Sequence, residues 1–373
     1  MDGIKETHAQ QKRERTRRLP TVCIVIYAIF LLCLLIYITC LFSKNFADFI
    51  NQHVSAPVRA FLAHLTNWLP ISLAEFLLLM LPAILVSLII LGMKRYSDSW
   101  KDVLIFCGAI LSALAIALST FFIGFAPAYR GTSLDKKLGI ERKDVSAEEL
   151  YNTALILSQK INAEQPKIIY GSDGFSVMPY DIDEMNEKLL KAYDDICDEY
   201  EFVQRLESRI KPVMLSEPMS YTHITGVYTF FTGEANLNVN FPDYTLPYTA
   251  AHELAHQRGI AREDEANFLA FLVCIESYDP YIRYSAYVNL YEYVAAALSS
   301  ADRELYLKAT ATLPQLVLAE QSAYSNFFAK YRESVVSDIS ETVNNTFLVM
   351  HGTEGVKSYG MVVDLAVAYY RSN

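Results

Sequence analysis

The chain has 373 residues, of which 52% are hydrophobic and 20% are charged, and its formal net charge is −10. This acidic balance argues against nucleic-acid binding, because no basic patch interleaved with aromatic residues occurs beyond the N-terminal tail. The longest hydrophobic runs lie near the N-terminus. About 240 residues follow them, which is enough for one sizeable domain with its own core.

The first 19 residues form a basic tail, and a run without any charge follows between Arg18 and Lys44. A helix needs about 20 apolar residues to cross the hydrocarbon core of a bilayer. A signal peptide is the alternative, but this run is longer than a typical signal sequence, and no clear small-x-small cleavage site follows it. We therefore predict a retained span over about residues 20–42. The basic residues of the tail are Lys5, Lys12, Arg13, Arg15, Arg17 and Arg18.

Two further apolar runs predict membrane spans over about residues 72–93 and 103–126. Helices in the core of a soluble protein are rarely so long and so free of charge. Glu75, at the start of the second run, is the one charged residue within the three predicted spans. This leaves little from which to build a permeation path, so a transporter or channel is disfavoured.

The basic residues indicate how the spans are oriented. The tail and the loop between the second and third spans, with Lys94, Arg95 and Lys101, belong in the cytoplasm by the positive-inside rule. A mixed-charge cluster after the third span argues weakly for the opposite orientation. We predict a cytoplasmic tail (1–19), a membrane region (20–129) and an extracytoplasmic domain (130–373). The bilayer is an expected partner, with the tail meeting anionic lipid.

The segment Ala56–Pro70, between the first two spans, is too polar to be a clean span. It is either an amphipathic helix at the membrane surface, with Trp68 among the headgroups, or a solvated loop. The pattern does not decide between these alternatives.

The extracytoplasmic domain is predicted to be α+β and mostly α. Ser146 begins a capped helix, and Met185–Arg209 has the pattern of a long amphipathic helix. Two β-rich stretches, 224–233 and 235–240, are predicted strands. The tyrosine-rich stretch Tyr278–Tyr293 is interpreted as packing and not as a ligand cage.

Cys197 and Cys274 are the two cysteines of this domain. A disulfide between them is chemically permitted outside the cytoplasm. The apolar surroundings of Cys274 favour a buried free thiol instead.

The most informative motif is His252-Glu253-Leu254-Ala255-His256, which reads H-E-x-x-H. On a helix, a spacing of four places both imidazoles on one face, where each gives one nitrogen to a single Zn²⁺. Glu253 then lies beside the metal, where it can take a proton from water. Two satisfied histidines in a buried helix are the structural alternative. The flanking residues favour the metal site, because Pro247 and Gly259 suit the start and stop of a short helix.

A catalytic zinc site needs a third protein ligand and an open position for water. The five other histidines are scattered, so a carboxylate from the acidic cluster after Gly259 is the economical choice. Glu263 and Glu265 both qualify by proximity, whereas Asp264 points to a different face.

The stretch Glu263–Asn267 resembles the E-x-E-A-D string that follows H-E-x-x-H in membrane zinc peptidases of the HtpX and CAAX-prenyl protease type. This resemblance implies that Glu263 is the third ligand, with Glu265 as the second choice. Asn267 stands where those families have an Asp that supports a ligand histidine. The spacing also differs from theirs. It is close to that of metzincins, but their third ligand would fall on Arg262, which does not bind metal.

The region around His252–Leu272, together with Gly233–Asn238 and Gly355–Gly360, resembles a bacterial membrane family known as domain of unknown function 3810. That resemblance implies membrane anchoring and a zincin-like domain, and it implies no substrate. In zincins, an edge strand before the metal helix pairs with an extended peptide. By this resemblance Gly233–Asn240 forms a wall of the cleft, and an ordinary hairpin of the core is the alternative.

Together these patterns predict a membrane-anchored zinc metallopeptidase with one zinc ion, held by His252, His256 and Glu263, and Glu253 as the base. Its expected substrate is a peptide or protein. The alternative is a non-catalytic membrane module that keeps only the fold or the metal. Four residues are candidates for stabilising the oxyanion, and the sequence does not choose among them. They are His223, Tyr228, His351 and Tyr359.

Overall fold

The computed structural model describes residues 18–332 and 334–372, and it is mostly helical. Residues 1–17 of the predicted basic tail lie outside the described residues. The first part of the fold consists of helices α1 (Thr21–Cys40), α2 (Lys44–Ile50), α3 (Ala56–Asn67), α4 (Leu73–Arg95) and α5 (Trp100–Gly124), with a π-helical turn over Asn51–Ser55.

Helices α1, α4 and α5 are long and apolar enough to span a membrane, as the sequence predicted. Helix α5 begins at Trp100, three residues before the predicted span. It starts there because Ser99 caps the helix by accepting a hydrogen bond from the backbone N–H of Asp102. Helix α1 packs against α5, where the Tyr27 hydroxyl donates to the Gly108 carbonyl at 2.6 Å.

The second part contains helices α6 to α16 and three short strands. They are α6 (Leu134–Leu138), α7 (Ala147–Glu164), α8 (Ile182–Glu199), β1 (Ile210–Pro212), α9 (Ser216–Ser220), β2 (Gly226–Thr229), β3 (Glu234–Leu237), α10 (Leu246–Gln257), α11 (Glu263–Glu276), α12 (Pro280–Ala301), α13 (Arg303–Thr310), α14 (Gln315–Ala329), α15 (Val335–Met350) and α16 (Val362–Ser372). Single 3₁₀ turns cover Ala126–Arg130, Gln165–Lys167, Asp243–Thr245 and Gly355–Met361.

The sheet has the order β1-β3-β2, with β1 parallel and β2 antiparallel to β3. Both predicted strands are present, but each is four residues long and the two form a hairpin. The predicted cleft wall over 233–240 is wrong, because β3 is the central strand and all four of its residues are buried. Strand β2 is an edge strand of this sheet and packs against α10.

The core of this part is centred on α11, which packs against α8, α10, α12 and α16. Helix α7 has the capping box that Ser146 and Glu149 predict. Helix α8 ends at Glu199, ten residues before the predicted end. The chain beyond it is held by buried side chains instead, since Asn186 donates to the Ser208 carbonyl and Arg258 to the Leu206 carbonyl.

The segment Ala56–Pro70 is largely helical, because α3 occupies Ala56–Asn67. Its outward face carries Phe61, Leu65 and Trp68, whose exposed fractions are 66%, 57% and 75%. The opposite face buries Arg59 against the second part of the chain. The segment is therefore an amphipathic helix and not a loop, and its place at the membrane surface stays a prediction.

The two parts are joined by buried polar contacts. Glu234 on β3 accepts hydrogen bonds from the backbone N–H groups of Leu73 and Ala74, the first residues of α4, each at 2.9 Å. Lys211 of β1 pairs with the same carboxylate at 2.5 Å, and both side chains are buried. Because these bonds satisfy the free N–H groups that begin a helix, they fix the start of α4 to the sheet.

Candidate metal centre

Helix α10 places His252 and His256 one turn apart, with ring centroids separated by 4.5 Å. Pro247 lies in its first turn, where the absence of a backbone N–H costs no helical hydrogen bond. Gly259 adopts φ 88° and ends the turn after the helix. The two imidazoles therefore share a face that is directed towards the start of α11.

Glu263, the first residue of α11, brings the third candidate ligand to this face. Its Oε2 atom lies 3.2 Å from Nε2 of His252 and 3.4 Å from Nε2 of His256. Ligands bound tetrahedrally at the usual Zn–N and Zn–O lengths are separated by about 3.3 Å. The two measured separations match this value, and the three ligand atoms all lie within 4.8 Å of one another, so the cluster fits one zinc ion.

The hydrogen bonds around these residues also fit a metal site. Nδ1 of His256 lies 2.7 Å from the Ile260 carbonyl, so this nitrogen is the donor, and in the neutral imidazole Nε2 has a lone pair to offer a metal. Oε2 of Glu263 makes no hydrogen bond of good geometry within the described chain, although it is buried. A buried carboxylate oxygen without such a partner is costly unless a cation compensates it.

The electrostatics of the cluster are dominated by burial and by the charges of its members. Burial lowers the pKa of His256, but the Glu263 carboxylate outweighs this and raises it to about 9. Burial raises the pKa of Glu263, and the two histidines more than reverse that effect, so the carboxylate stays ionised. A divalent cation would satisfy this anionic group in place of a proton.

Glu253 lies beside the cluster and is 4% exposed. Burial raises the pKa of its carboxyl group, while the neighbouring histidines and the backbone N–H of Tyr228 lower it. Its Oε2 atom has no hydrogen-bond partner among the described residues. A Cβ atom at Gly226 would lie 2.6 Å from the Glu253 carboxylate, so glycine is required there. The geometry gives a desolvated carboxylate with one oxygen available to accept a proton.

A cavity of about 620 Å³ opens against His252 and Glu253. Helix α12 contributes Glu292 to its wall, and α15 contributes Glu341. Its lining contains no lysine or arginine within the described residues. Burial raises the pKa of Glu292 to about 7. The cavity therefore favours neutral or cationic groups over anions.

The other sequence candidates lie elsewhere. Glu265 accepts hydrogen bonds from the Leu134 N–H and from Arg262, each at 2.9 Å, and does not join the cluster. Among the oxyanion candidates, His223 lines the cavity, but its Nε2 atom is bonded to the Tyr331 carbonyl at 2.7 Å. His351 packs among aromatic rings at the end of α5, away from the cavity lining.

Tyr228 lies on β2, where its buried hydroxyl is close to Arg59 and not to the cavity. The side chain of Tyr359 is outside the part of the chain that the structure describes.

Cys197 and Cys274 are both free thiols and form no disulfide with each other. Cys274 is fully buried, as its apolar surroundings predicted.

Tyr293 is the functional candidate that sequence reasoning missed. It lines the cavity with His252, and its hydroxyl is near enough to Glu263 for that charge to contribute to its raised pKa. Burial is the larger cause, and together the effects raise the pKa of Tyr293 to about 12, so the phenol stays a hydrogen-bond donor. The interpretation of Tyr278–Tyr293 as packing holds for Tyr281, Tyr284 and Tyr291, which are buried. The helical spacing could have separated Tyr293 from them.

The fold and the cluster define the chain as a helical protein with three membrane-capable helices and a buried His-His-Glu group. It belongs to the family described as Protein of unknown function (DUF3810), whose model matches residues 50–367. The comparison with curated proteins finds no match, and neither does the comparison with solved structures.

Proposed function

We propose that this protein is a membrane-anchored zinc metallopeptidase that hydrolyses peptide bonds at the outer membrane face. The observation that carries the proposal is the convergence of His252, His256 and Glu263 beside a desolvated Glu253, at the wall of a large cavity. The resemblance of this arrangement to gluzincin peptidases supports the same assignment. The predicted orientation places the cavity outside the cytoplasm.

In this proposal, His252, His256 and Glu263 would hold one zinc ion, which when bound would supply Lewis-acid polarisation of the scissile carbonyl and would lower the pKa of water at the site towards about 7. Glu253 accepts the proton that the attacking water loses, and its free Oε2 atom is the acceptor. The same carboxyl group then returns the proton to the leaving nitrogen as the C–N bond breaks. The water oxygen becomes part of the new carboxylate.

Tyr293 is the proposed donor to the oxyanion, because its phenol lies on the cavity wall near the ligand cluster. The free edge of β2 is the proposed binding edge for an extended substrate. Only β3 pairs with β2 in the described sheet, and Gly226 at the start of β2 lies against Glu253. The acidic lining of the cavity favours peptides with neutral or basic side chains.

The test is Glu253→Gln in the purified full-length protein, assayed on a peptide library by mass spectrometry. We expect turnover to fall by about 10²–10⁴-fold, because the amide does not accept the proton, while zinc content stays unchanged. Glu341→Gln is the matched control, since it removes a carboxylate from the same cavity but not from beside the ligands. Undiminished turnover in Glu253→Gln would show that the assigned base is wrong.

The alternative of a non-catalytic binding module has one supporting observation. Nδ1 of His252 is buried without a hydrogen-bond partner in the described structure, whereas ligand histidines are usually held by one. Asn267, which stands at the position of the supporting Asp, lines the cavity without bonding to this nitrogen. Zinc binding without turnover of any library peptide would favour the binding module.

A further inference from the structure

Helix α15 presents an apolar face to the outside of the molecule. Val335, Ile339, Val343 and Met350 are 75%, 60%, 64% and 72% exposed. Their spacings of four, four and seven residues, which are about one, one and two helical turns, align them on one side of the helix. Large apolar side chains contiguous on a surface mark contact with a membrane or a partner.

The opposite face of α15 is polar and lines the cavity. Ser337, Ser340, Glu341 and Asn344 are all part of the cavity wall that also includes His252 and Glu253. The helix is therefore inverted relative to a surface helix of a soluble domain, which buries its apolar side. An inverted helix is stable when its outward face meets an apolar medium.

The contacts of α15 with a membrane-capable helix indicate that this apolar medium is the bilayer. Phe347, near the end of α15, packs against Phe121 of α5 with ring centroids 5.9 Å apart. Phe230, in the turn between β2 and β3, lies 5.0 Å from the same ring. Phe125, directly after α5, lies 6.0 Å from the ring of His256. The candidate metal centre and the end of α15 thus meet at the same end of α5.

A second exposed apolar patch lies beside the start of α4. Met214 and Leu215 are 65% and 43% exposed, and their N–H groups donate to Glu75 in the first turn of α4. The exposed residues Arg332 and Lys357 flank α15, where cationic side chains at a membrane surface reach the headgroups. Asp338 lies on the side of the helix and Glu341 on the polar face that lines the cavity, so neither is at the centre of the apolar face.

We propose that α15 lies in the bilayer interface, with its apolar face among the acyl chains and its polar face forming the roof of the cavity. The substrate would then be a peptide segment tethered to, or emerging from, the membrane. This second statement rests on the proposed peptidase function, whereas the position of α15 does not.

The position of α15 is tested with nitroxide labels in lipid nanodiscs of phosphatidylcholine and phosphatidylglycerol. Single cysteines replace residues 335–350 in turn in the full-length protein carrying Cys107→Ser and Cys197→Ser, which removes the exposed and half-buried native thiols. Accessibility to oxygen, which concentrates in the bilayer, is compared with accessibility to a water-soluble nickel chelate. We expect oxygen to dominate at Ile339 and Val343, and the nickel chelate at the matched position Asp338 on the same helix.

A helical periodicity of oxygen access along α15 supports the proposal. Nickel access at all exposed positions would overturn it, and so would immobilised labels that neither reagent reaches, since these indicate a protein partner.

The substrate class is tested by comparing one peptide free in solution with the same peptide attached to a lipid anchor. We expect a higher kcat/KM for the anchored peptide, and we expect this ratio to fall towards one in the double variant Ile339→Gln, Val343→Gln. An unchanged ratio in the variant overturns the role of α15 in substrate access. If neither peptide is cleaved by the wild type, the peptidase function fails, and the label experiment still decides where α15 lies.

Discussion

Helices α10 and α15 both line the cavity, but they are held in very different ways. Every residue of α10 from Ala250 to Gln257 is buried, and Tyr193 and Gln257 fix it through hydrogen bonds to the Ala251 and Gly233 carbonyls. Along α15 only Ser337 and Leu348 are buried. We refer to the buried and hydrogen-bonded α10 as the floor of the cavity, and to α15, whose residues are mostly not buried within the chain, as its roof.

The floor is held in place by contacts with the first part of the chain. Arg59 of α3, 2% exposed, donates to Asn51, to the Gly124 carbonyl at the end of α5 and to the Arg258 carbonyl after α10. Asn51 donates in turn to the Gly259 carbonyl at 3.2 Å. The turn that follows α10 is thereby attached, through Arg59, to the end of α5.

The largest expected loss of stability comes from Arg59→Met. Several buried oxygens would lose a charged donor, so we expect the free energy of unfolding to fall by about 3–5 kcal/mol in detergent micelles. Arg209→Met is the control, because Arg209 is more exposed and lies 3.8 Å from Asp183, and a surface pair contributes less than about 1 kcal/mol. Equal effects of the two changes would show that the floor does not depend on this contact.

A smaller effect is expected from Gly259→Ala. Gly259 has φ 88°, and a Cβ atom there would collide with the Arg59 guanidinium. Gly139 has a similar φ of 68° but nothing within 4 Å, so Gly139→Ala isolates the backbone cost. We expect losses of about 2–3 kcal/mol for Gly259→Ala and about 1 kcal/mol for Gly139→Ala by denaturant unfolding. A Gly259→Ala variant as stable as Gly139→Ala would mean that Arg59 moves aside freely.

The smallest change in the free energy of unfolding is expected from a substitution on the outward face of α15, the roof of the cavity. Ile339→Ser removes an exposed side chain and should change the free energy of unfolding in detergent by less than about 0.5 kcal/mol. Leu348, on the inner side of the same helix, is fully buried, and Leu348→Ala should cost about 2 kcal/mol or more. Thermal unfolding of both variants measures the difference. A large loss from Ile339→Ser would indicate that the outward face packs against protein.

The sequence predicted the parts of this molecule whose signals are local. The three spans follow from the absence of charge in continuous runs, and His252, His256 and Glu263 meet because a four-residue spacing and a short glycine turn leave few other geometries. Whether these residues bind zinc stays a prediction, as does the assignment of the domain to the outer face.

The parts that escaped prediction depend on contacts between residues far apart in the chain. Arg59 donates a hydrogen bond to the Arg258 carbonyl, which is 199 residues away in the chain, and no local sequence pattern predicts that contact. Strand β3 has the same local character as an edge strand, and its central place is decided by β1, 24 residues earlier. Helical spacing separates Tyr293 from the packing tyrosines, but only the tertiary fold shows that it lies on the cavity wall near Glu263.

The proposed function depends most on zinc binding, and the zinc content of the purified full-length protein tests this binding most directly. Elemental analysis after dialysis should give about one zinc per chain in the wild type and in Glu253→Gln. Glu263→Gln should lose most of it, whereas Glu265→Gln, which removes a neighbouring carboxylate from outside the cluster, should keep it. A zinc-free wild type, or zinc binding that survives Glu263→Gln unchanged, would contradict the proposed centre.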